Sequence, residues 1–152
     1  MDYWLGVVQR EHVLRGVELG IAQLNHGAKA PVRRMSPGDG FVYYSPRASM
    51  KSAAYPEGDP LREFTAIGVI ADGEAYQDDS VMYPGSDFRP WRRRVDYVMD
   101  AAPAPIAPLL DVLELTRGNR NWGLVMRRGH VQLTKHDFDA IAGSMRATSL
   151  IR

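Results

Sequence analysis

Short strand-like segments separated by glycine, proline and aspartate turns constrain this chain most. Residues 36–40 read Ser-Pro-Gly-Asp-Gly, a dense turn signal, and residues 41–45 have the aromatic and β-branched composition of a buried strand. Residues 64–70 form a second such segment, which Asp72 and Gly73 end. The pattern predicts a fold built around a sheet.

The other segments predict more short strands and a few helices. Residues 3–8 have strand composition, and Val13, Val17 and Gly20 follow at helical spacing. Further strands are predicted at residues 21–24, 75–77, 91–99, 122–126 and 130–133, and helices at 31–35, 106–113 and 135–145, with loops around 56–60 and in the proline-rich stretch after residue 100. We predict one α+β domain over residues 1–152, in which a mixed sheet of five or six strands curls into a small barrel flanked by short helices.

Two local signals fix turns within this outline. Asn25-His26-Gly27 consists of residues that tolerate positive φ and favour a sharp turn. Thr134 and Asp137 have the spacing of a capping box and predict the start of the last helix. These signals predict where two elements begin and end.

Composition limits the classes of function. The formal net charge is +1, so a contact with nucleic acid must be local rather than spread over the whole surface. The sixteen arginines and three lysines suit bidentate phosphate contacts, although a GC-rich coding bias produces the same ratio. Cysteine is absent, which excludes disulfides, thiolate nucleophiles and cysteine-bound zinc. We expect a cytoplasmic protein.

No membrane or secretion signal is expected. Residues 1–4 lead directly into strand composition without a positive and apolar leader. The apolar stretch at residues 101–115 is broken by Pro103, Pro105 and Pro108 and is shorter than the ~20 apolar residues that span a bilayer.

Motifs of common enzyme chemistry are missing from the sequence. His12, His26, His130 and His136 do not fall at metal-ligand spacing. Asp78-Asp79 reads better as an exposed acidic turn than as a magnesium site, since hard cations need several converging oxygens. The chain has no nucleophile elbow, phosphate-binding glycine loop or dinucleotide fingerprint. We expect no catalytic residue, metal or cofactor.

Polar and aromatic residues instead gather at strand ends and turns, where a rigid scaffold displays binding groups. The clusters are Gln9-Arg10, Asn25-His26, Ser45-Pro46-Arg47 and Trp91 before Arg92-Arg93-Arg94. If they converge, an aromatic wall, polar groups and nearby cations suit a single extruded base.

Each cluster also has a structural interpretation. His26 can satisfy its own turn, Trp91 can anchor a core, and residues 92–94 can form a solvated edge. Because side chains alternate along a strand, we expect one ring of Tyr43-Tyr44 inside and the other outside, so at most one lines a pocket.

Several of these segments, in this order, resemble the EVE-domain family, whose fold is similar to that of YTH, ASCH and PUA domains. The matching segments are 3–13, 25–39, Tyr-Tyr-Ser-Pro-Arg at 43–47, Phe-Thr-Ala-Ile-Gly at 64–68, Pro-Trp-Arg-Arg-Arg-Val at 90–95 and Trp-Gly-x-x-x-Arg-Arg-Gly-His at 122–130. They span most of the chain. The resemblance implies a PUA-like β-barrel with a pocket for a modified base.

The resemblance also implies a set of site residues. Ligand-binding positions would be Gln9, Asn25, His26, Tyr43, Ser45 and Trp91, and phosphate contacts would be Arg10, Lys29, Arg47 and Arg93. A family lysine often follows His-Gly directly, whereas here Ala28 stands there and Lys29 comes next.

Three functions remain open from the sequence. The first is a non-catalytic reader of a modified base in DNA or RNA, with no membrane partner, acting as a monomer or weak homodimer. The second is a nuclease or base-processing hydrolase on a related ASCH-like barrel, with His26, His12 or an acidic neighbour as acid or base. The third is a protein-interaction module that uses a tyrosine-rich surface.

Overall fold

The fold is a curled mixed sheet with short helices, as predicted. The computed structural model describes residues 1–49, 60–79, 85 and 87–151. The strands are β1 Tyr3–Val7, β2 Ile21–Ala22, β3 Gly40–Arg47, β4 Pro60–Ile70, β5 Tyr76–Gln77, β6 Trp91–Tyr97, β7 Ala104–Pro105 and β8 His130–Leu133. The helices are α1 Arg10–Leu19, α2 Lys29–Arg34, α3 Gly123–Met126 and α4 Lys135–Ser144. The predicted loop at residues 56–60 lies outside the described residues apart from Pro60, which begins β4.

The strand order is β2-β6-β4-β3-β1-β8, with β5 added to β6 and β7 added to β4. β1 and β3 are parallel, and every other pairing is antiparallel. The carboxyl ends of β1 and β3 therefore share one end of the sheet with the first residues of β4 and β8. The last residues of β4 and the first residues of β6 lie at the other end.

Both faces of the sheet are buried. Val42 and Tyr44 of β3 join one core cluster with α4, whereas Phe41 and Tyr43 join a second cluster on the opposite face. The prediction that one ring of Tyr43-Tyr44 points outward is wrong, because both rings are at most 2% exposed. Alternation holds, but each side of the strand meets a covered core.

The predicted strand at residues 122–126 is also wrong. This segment contains α3, and turn hydrogen bonds precede it, with the Leu124 amide donating to the Asn121 carbonyl at 3.0 Å. A short apolar run has no period that separates a buried strand from a helical turn.

The proline-rich stretch differs in detail from its prediction. Residues 104–105, expected in a loop, form β7 and pair with Glu63 and Phe64 of β4. The helix expected at residues 106–113 is a 3-10 turn at Ala107–Leu109 followed by further turns. Pro103, Pro105 and Pro108 keep the regular elements of this segment short.

The other predicted elements are confirmed. α1 ends at Gly20 in the left-handed region, with φ of 68°. The Thr134 side chain accepts a hydrogen bond from the Asp137 amide at 3.1 Å and caps α4. Among the described residues, no helix is long and apolar enough to cross a membrane.

Candidate functional site

A cavity of about 730 Å³ opens beside Trp91, the first residue of β6. Its lining combines the tryptophan, three cationic side chains and one carboxylate with small and apolar residues. The lining residues are Lys29, Arg33, Met35, Ser36, Pro37, Gly73, Glu74, Ala75, Trp91 and Arg93. We call this the Trp91 cavity.

Lys29 and Trp91 are in direct contact in this cavity. The Lys29 Nζ lies 4.6 Å from the centre of the Trp91 ring, a distance typical of a cation–π contact. Lys29 is exposed and begins α2, whereas Trp91 is half-buried and packs against the second core cluster. One ring face is therefore covered by a flexible ammonium rather than by core.

Arg93 forms a fixed wall of the cavity. The residue is 5% exposed. Its Nη2 donates to the Gly73 carbonyl at 2.7 Å, and its Nη1 donates to the Val32 carbonyl at 3.3 Å. Burial lowers the pKa of the guanidinium, and the charges of Asp39 and Glu74 oppose that effect. Arg93, predicted as a phosphate contact, thus lies inside the protein and is held by backbone carbonyls. The alternative interpretation of residues 92–94 as a solvated edge is therefore wrong for Arg93.

The turn at Asn25, His26 and Gly27 has positive φ throughout, at 47°, 58° and 82°. It packs between the two lateral edges of the curled sheet. A Cβ on Gly27 would lie 2.7 Å from the Pro90 Cβ, just before β6, and the Asn25 side chain fills the space beside Gly129, just before β8. The turn therefore places His26, which is exposed, near the loop that ends at Pro90, directly before Trp91.

Gln9, Arg10, Ser45 and Arg47 lie together at the other end of the sheet. Ser45 pairs with Glu63 near the start of β4, whereas Val95, four residues after Trp91, pairs with Ile70, the last residue of β4. The curl of the sheet brings these two groups back towards each other, because the Tyr43 hydroxyl contacts the backbone of Gln23, whose side chain accepts from the Arg92 Nε. The Asn25 turn lies between them, because Asn25 lies beside Gly129, whose carbonyl accepts from the Val7 amide at 2.8 Å, and Gly27 lies beside Pro90.

Ser45 is fully buried and satisfied by the protein. Its Oγ donates to the Val8 carbonyl at 2.7 Å and shares a 2.8 Å hydrogen bond with the Thr65 hydroxyl. These contacts hold the residue before Gln9 against β3. Gln9 is half-buried at the start of α1, and Arg10 and Arg47 are exposed.

Tyr43 is a core residue beneath β2. Its hydroxyl accepts from the Gln23 amide at 3.1 Å and donates to the Gln23 carbonyl at 3.3 Å, and burial raises the pKa of this hydroxyl to about 12. The Gln23 side chain accepts from the Nε of Arg92 at 3.0 Å. Tyr43 thus positions the segment that leads into the Asn25 turn.

Sequence reasoning missed a second cleft of about 620 Å³ on the opposite face of the sheet. It contains two aromatic rings and three arginines. Its lining residues are Tyr44, Pro46, Arg62, Arg120, Asn121, Trp122, Gly123, Leu124, Met126 and Arg127. Arginines next to a tryptophan, at Arg120-Asn121-Trp122 and Arg127-Arg128, could have indicated this cleft. They were not recognised because residues 122–126 were predicted to form a strand. We call this the Trp122 cleft.

The fold and its clefts define an α+β protein with a curled mixed sheet and two tryptophan-containing cavities lined by cations. The chain belongs to the EVE-domain family, because the EVE-domain model matches residues 2–144. The family resemblance of the sequence is therefore confirmed.

Similar proteins cover nearly the whole chain. A UPF0310 protein of Renibacterium salmoninarum is 47% identical over 148 residues, which is 97% of this chain and 98% of that protein. A UPF0310 protein of Bacillus subtilis is 42% identical over 147 residues, covering 95% and 92%. A crystal structure of an Agrobacterium tumefaciens protein matches with a TM-score of 0.54 at 15% identity, covering 100% of this chain and 96% of that one. This last likeness concerns the fold alone.

Proposed function

We propose that this protein binds nucleic acid and recognises a modified base in the Trp91 cavity, by binding alone. The observation that carries the proposal is a half-buried tryptophan whose ring is covered by the Lys29 ammonium, in a cavity with further cations. The partner is DNA or RNA in which the modified base is flipped out or already unpaired.

The geometry suits a base and its phosphate together. Every base has a π-face, and stacking on one aromatic ring contributes about 1–3 kcal/mol. A base on this face of Trp91 displaces the Lys29 ammonium, which is flexible and exposed and can then contact a phosphate. Arg33, also exposed, lies on the same cavity wall.

Discrimination of a modified base comes from the rest of the lining. Glu74 offers a carboxylate acceptor for an exocyclic amino group, and Met35 and Ala75 offer apolar surface for an added methyl. Arg93 sets the depth of the cavity, because its guanidinium is held in place by hydrogen bonds to the carbonyls of Val32 and Gly73.

The test compares oligonucleotides carrying methylated or hydroxymethylated bases with unmodified strands, in DNA and RNA, for wild type and Trp91→Ala. Losing one stacking partner should weaken binding of the preferred modified strand roughly 5- to 150-fold, and the unmodified strand far less. Trp91→Phe should retain most of the preference. Trp122→Ala, a tryptophan change on the other face, is the matched control and should leave the ratio unchanged.

Equal losses on modified and unmodified strands for Trp91→Ala contradict a base pocket at this site. Binding without chemistry is tested separately by incubating labelled strands with and without divalent metal. We expect the strands to stay intact. Cleavage of the strands that is lost in His26→Ala would show that the protein is a hydrolase and not a non-catalytic reader.

A further inference from the structure

We propose that the Trp122 cleft binds a nucleotide unit of a single-stranded nucleic acid, at a second site separate from the Trp91 cavity. The two sites line opposite faces and opposite ends of the β3–β4 pair. The proposal concerns how the strand is held, not which base is read, and does not depend on the modified-base function.

Trp122 gives the cleft its stacking surface, and the buried Tyr44 ring packs edge-on against it. Trp122 is half-buried, and its ring centre lies 6.3 Å from that of Tyr44 at an angle of 79°. Tyr44 is fixed from below by Phe64 at 5.6 Å. Within the described residues the Tyr44 hydroxyl forms no hydrogen bond. Rigid aromatic surface at a concave site stacks bases without regard to their sequence.

Three arginines supply the charge for a phosphate. Arg62, Arg120 and Arg127 are exposed, and in the described part of the chain none of them forms an ion pair. No carboxylate occurs among the described residues that line the cleft. Arg62 acts electrostatically on the Tyr44 hydroxyl, which places a cation beside the aromatic surface. Planar guanidinium groups match the oxygens of a phosphate in pairs.

The backbone at Arg62 departs from regular strand geometry. Arg62 has φ of 53° within β4, in the left-handed region that favours glycine. The Ile106 amide fixes this conformation by donating to the Arg62 carbonyl at 3.0 Å. This conformation belongs to a β-bulge, because the register between β3 and β4 shifts between Ser45 and Arg47 and leaves an extra residue in β4.

This combination favours a nucleotide over an acidic or phosphorylated peptide. A peptide phosphate needs the arginines alone, whereas a nucleotide also uses the Trp122 ring beside them. The arginines contact the phosphate and the tryptophan contacts the base.

The experiment measures binding of an unmodified single-stranded octanucleotide, and of adenosine and uridine 5′-monophosphates, at several salt concentrations. Trp122→Ala should weaken the octanucleotide roughly 5- to 150-fold, and Trp122→Phe much less. Arg120→Gln, an exposed change that leaves the fold intact, should reduce the slope of log K against log salt by about 0.7. Arg15→Gln, at an exposed arginine of α1 that lines neither cavity, is the matched control and should leave the monophosphate affinity unchanged.

Unchanged affinity and salt slope in both Trp122→Ala and Arg120→Gln overturn the proposal. Competition by a phosphopeptide as strong as that of the monophosphates also overturns it, because the cleft is then a general anion site. If Trp91→Ala does not change the preference for a modified base, the proposal for the Trp91 cavity is wrong, but the outcomes expected for the Trp122 cleft are unchanged. The two proposals are therefore tested independently.

Discussion

His130 at the start of β8 shows how one residue ties stability to pH. Its ring stacks on Trp4 with centres 4.8 Å apart and an interplanar angle of 14°. Both ring nitrogens are buried without a hydrogen-bond partner in the described structure. Burial, with a smaller contribution from Arg34, lowers the pKa of His130 to about 4. The imidazole is therefore neutral in the folded protein at neutral pH.

Stability should fall as the pH is lowered from about 6.5 to about 4, because the unfolded chain binds a proton in this range that the folded chain does not. A pKa lowered from 6.5 to about 4 corresponds to roughly 3 kcal/mol. Urea unfolding of wild type and His130→Phe at pH 7 and pH 4.5 measures this, since phenylalanine retains the ring without titrating. An equal loss of stability in both proteins excludes His130 as the cause.

At the scale of elements, Asp137 joins α4 to the segment that precedes the Trp122 cleft. The Thr134 hydroxyl caps the helix, as the sequence predicted, but the Asp137 carboxylate does not return to the cap. It accepts from the amides of Glu114 at 2.8 Å and Leu115 at 2.9 Å and is 1% exposed. The capping-box spacing therefore predicted the helix start but not this longer connection.

Asp137→Ala should cost more stability than Thr134→Ala. Loss of the cap costs about 1 kcal/mol, whereas loss of the carboxylate leaves two amides unsatisfied at about 1–3 kcal/mol each. Urea midpoints of the two variants at neutral pH compare them directly. Equal midpoints would show that water replaces the carboxylate at the amides of residues 114–115.

Local signals predicted the elements better than the site. The turn at residues 25–27 was predictable because positive φ is a property of its own residues. The position of this turn between Pro90 and Gly129 was not, since both residues lie far from it along the sequence. The Trp122 cleft depends on Arg62 meeting Trp122 across about sixty residues of sequence, a contact that periodicity does not encode.

At the scale of the whole molecule, one sheet supports two core clusters. β1, β3 and β4 contribute side chains to both, so neither cluster can form without the strands of the other. Trp4 lies in the second cluster, and Trp122 packs against the first. The two tryptophans therefore report on opposite faces of the same sheet.

We expect unfolding in a single transition. Fluorescence of Trp91→Phe reports both Trp4 and Trp122, and that of the double variant Trp91→Phe, Trp122→Phe reports Trp4 alone. Each variant is unfolded in urea and followed by both fluorescence and circular dichroism, so that its own stability cancels from the comparison. The two midpoints should coincide within each protein. A fluorescence midpoint that departs from the circular dichroism midpoint in either protein would show that one face melts before the other.

The turn at residues 25–27 touches both lateral edges of the sheet, through Pro90 on one side and Gly129 on the other. A longer turn would push these edges apart, and a bulkier residue at position 27 or 129 has no space. Under the proposed function, we therefore expect differences in ligand size to be accommodated around residues 73–75, which line the Trp91 cavity. Relatives with other ligands should differ in length there, while the turn keeps its three residues.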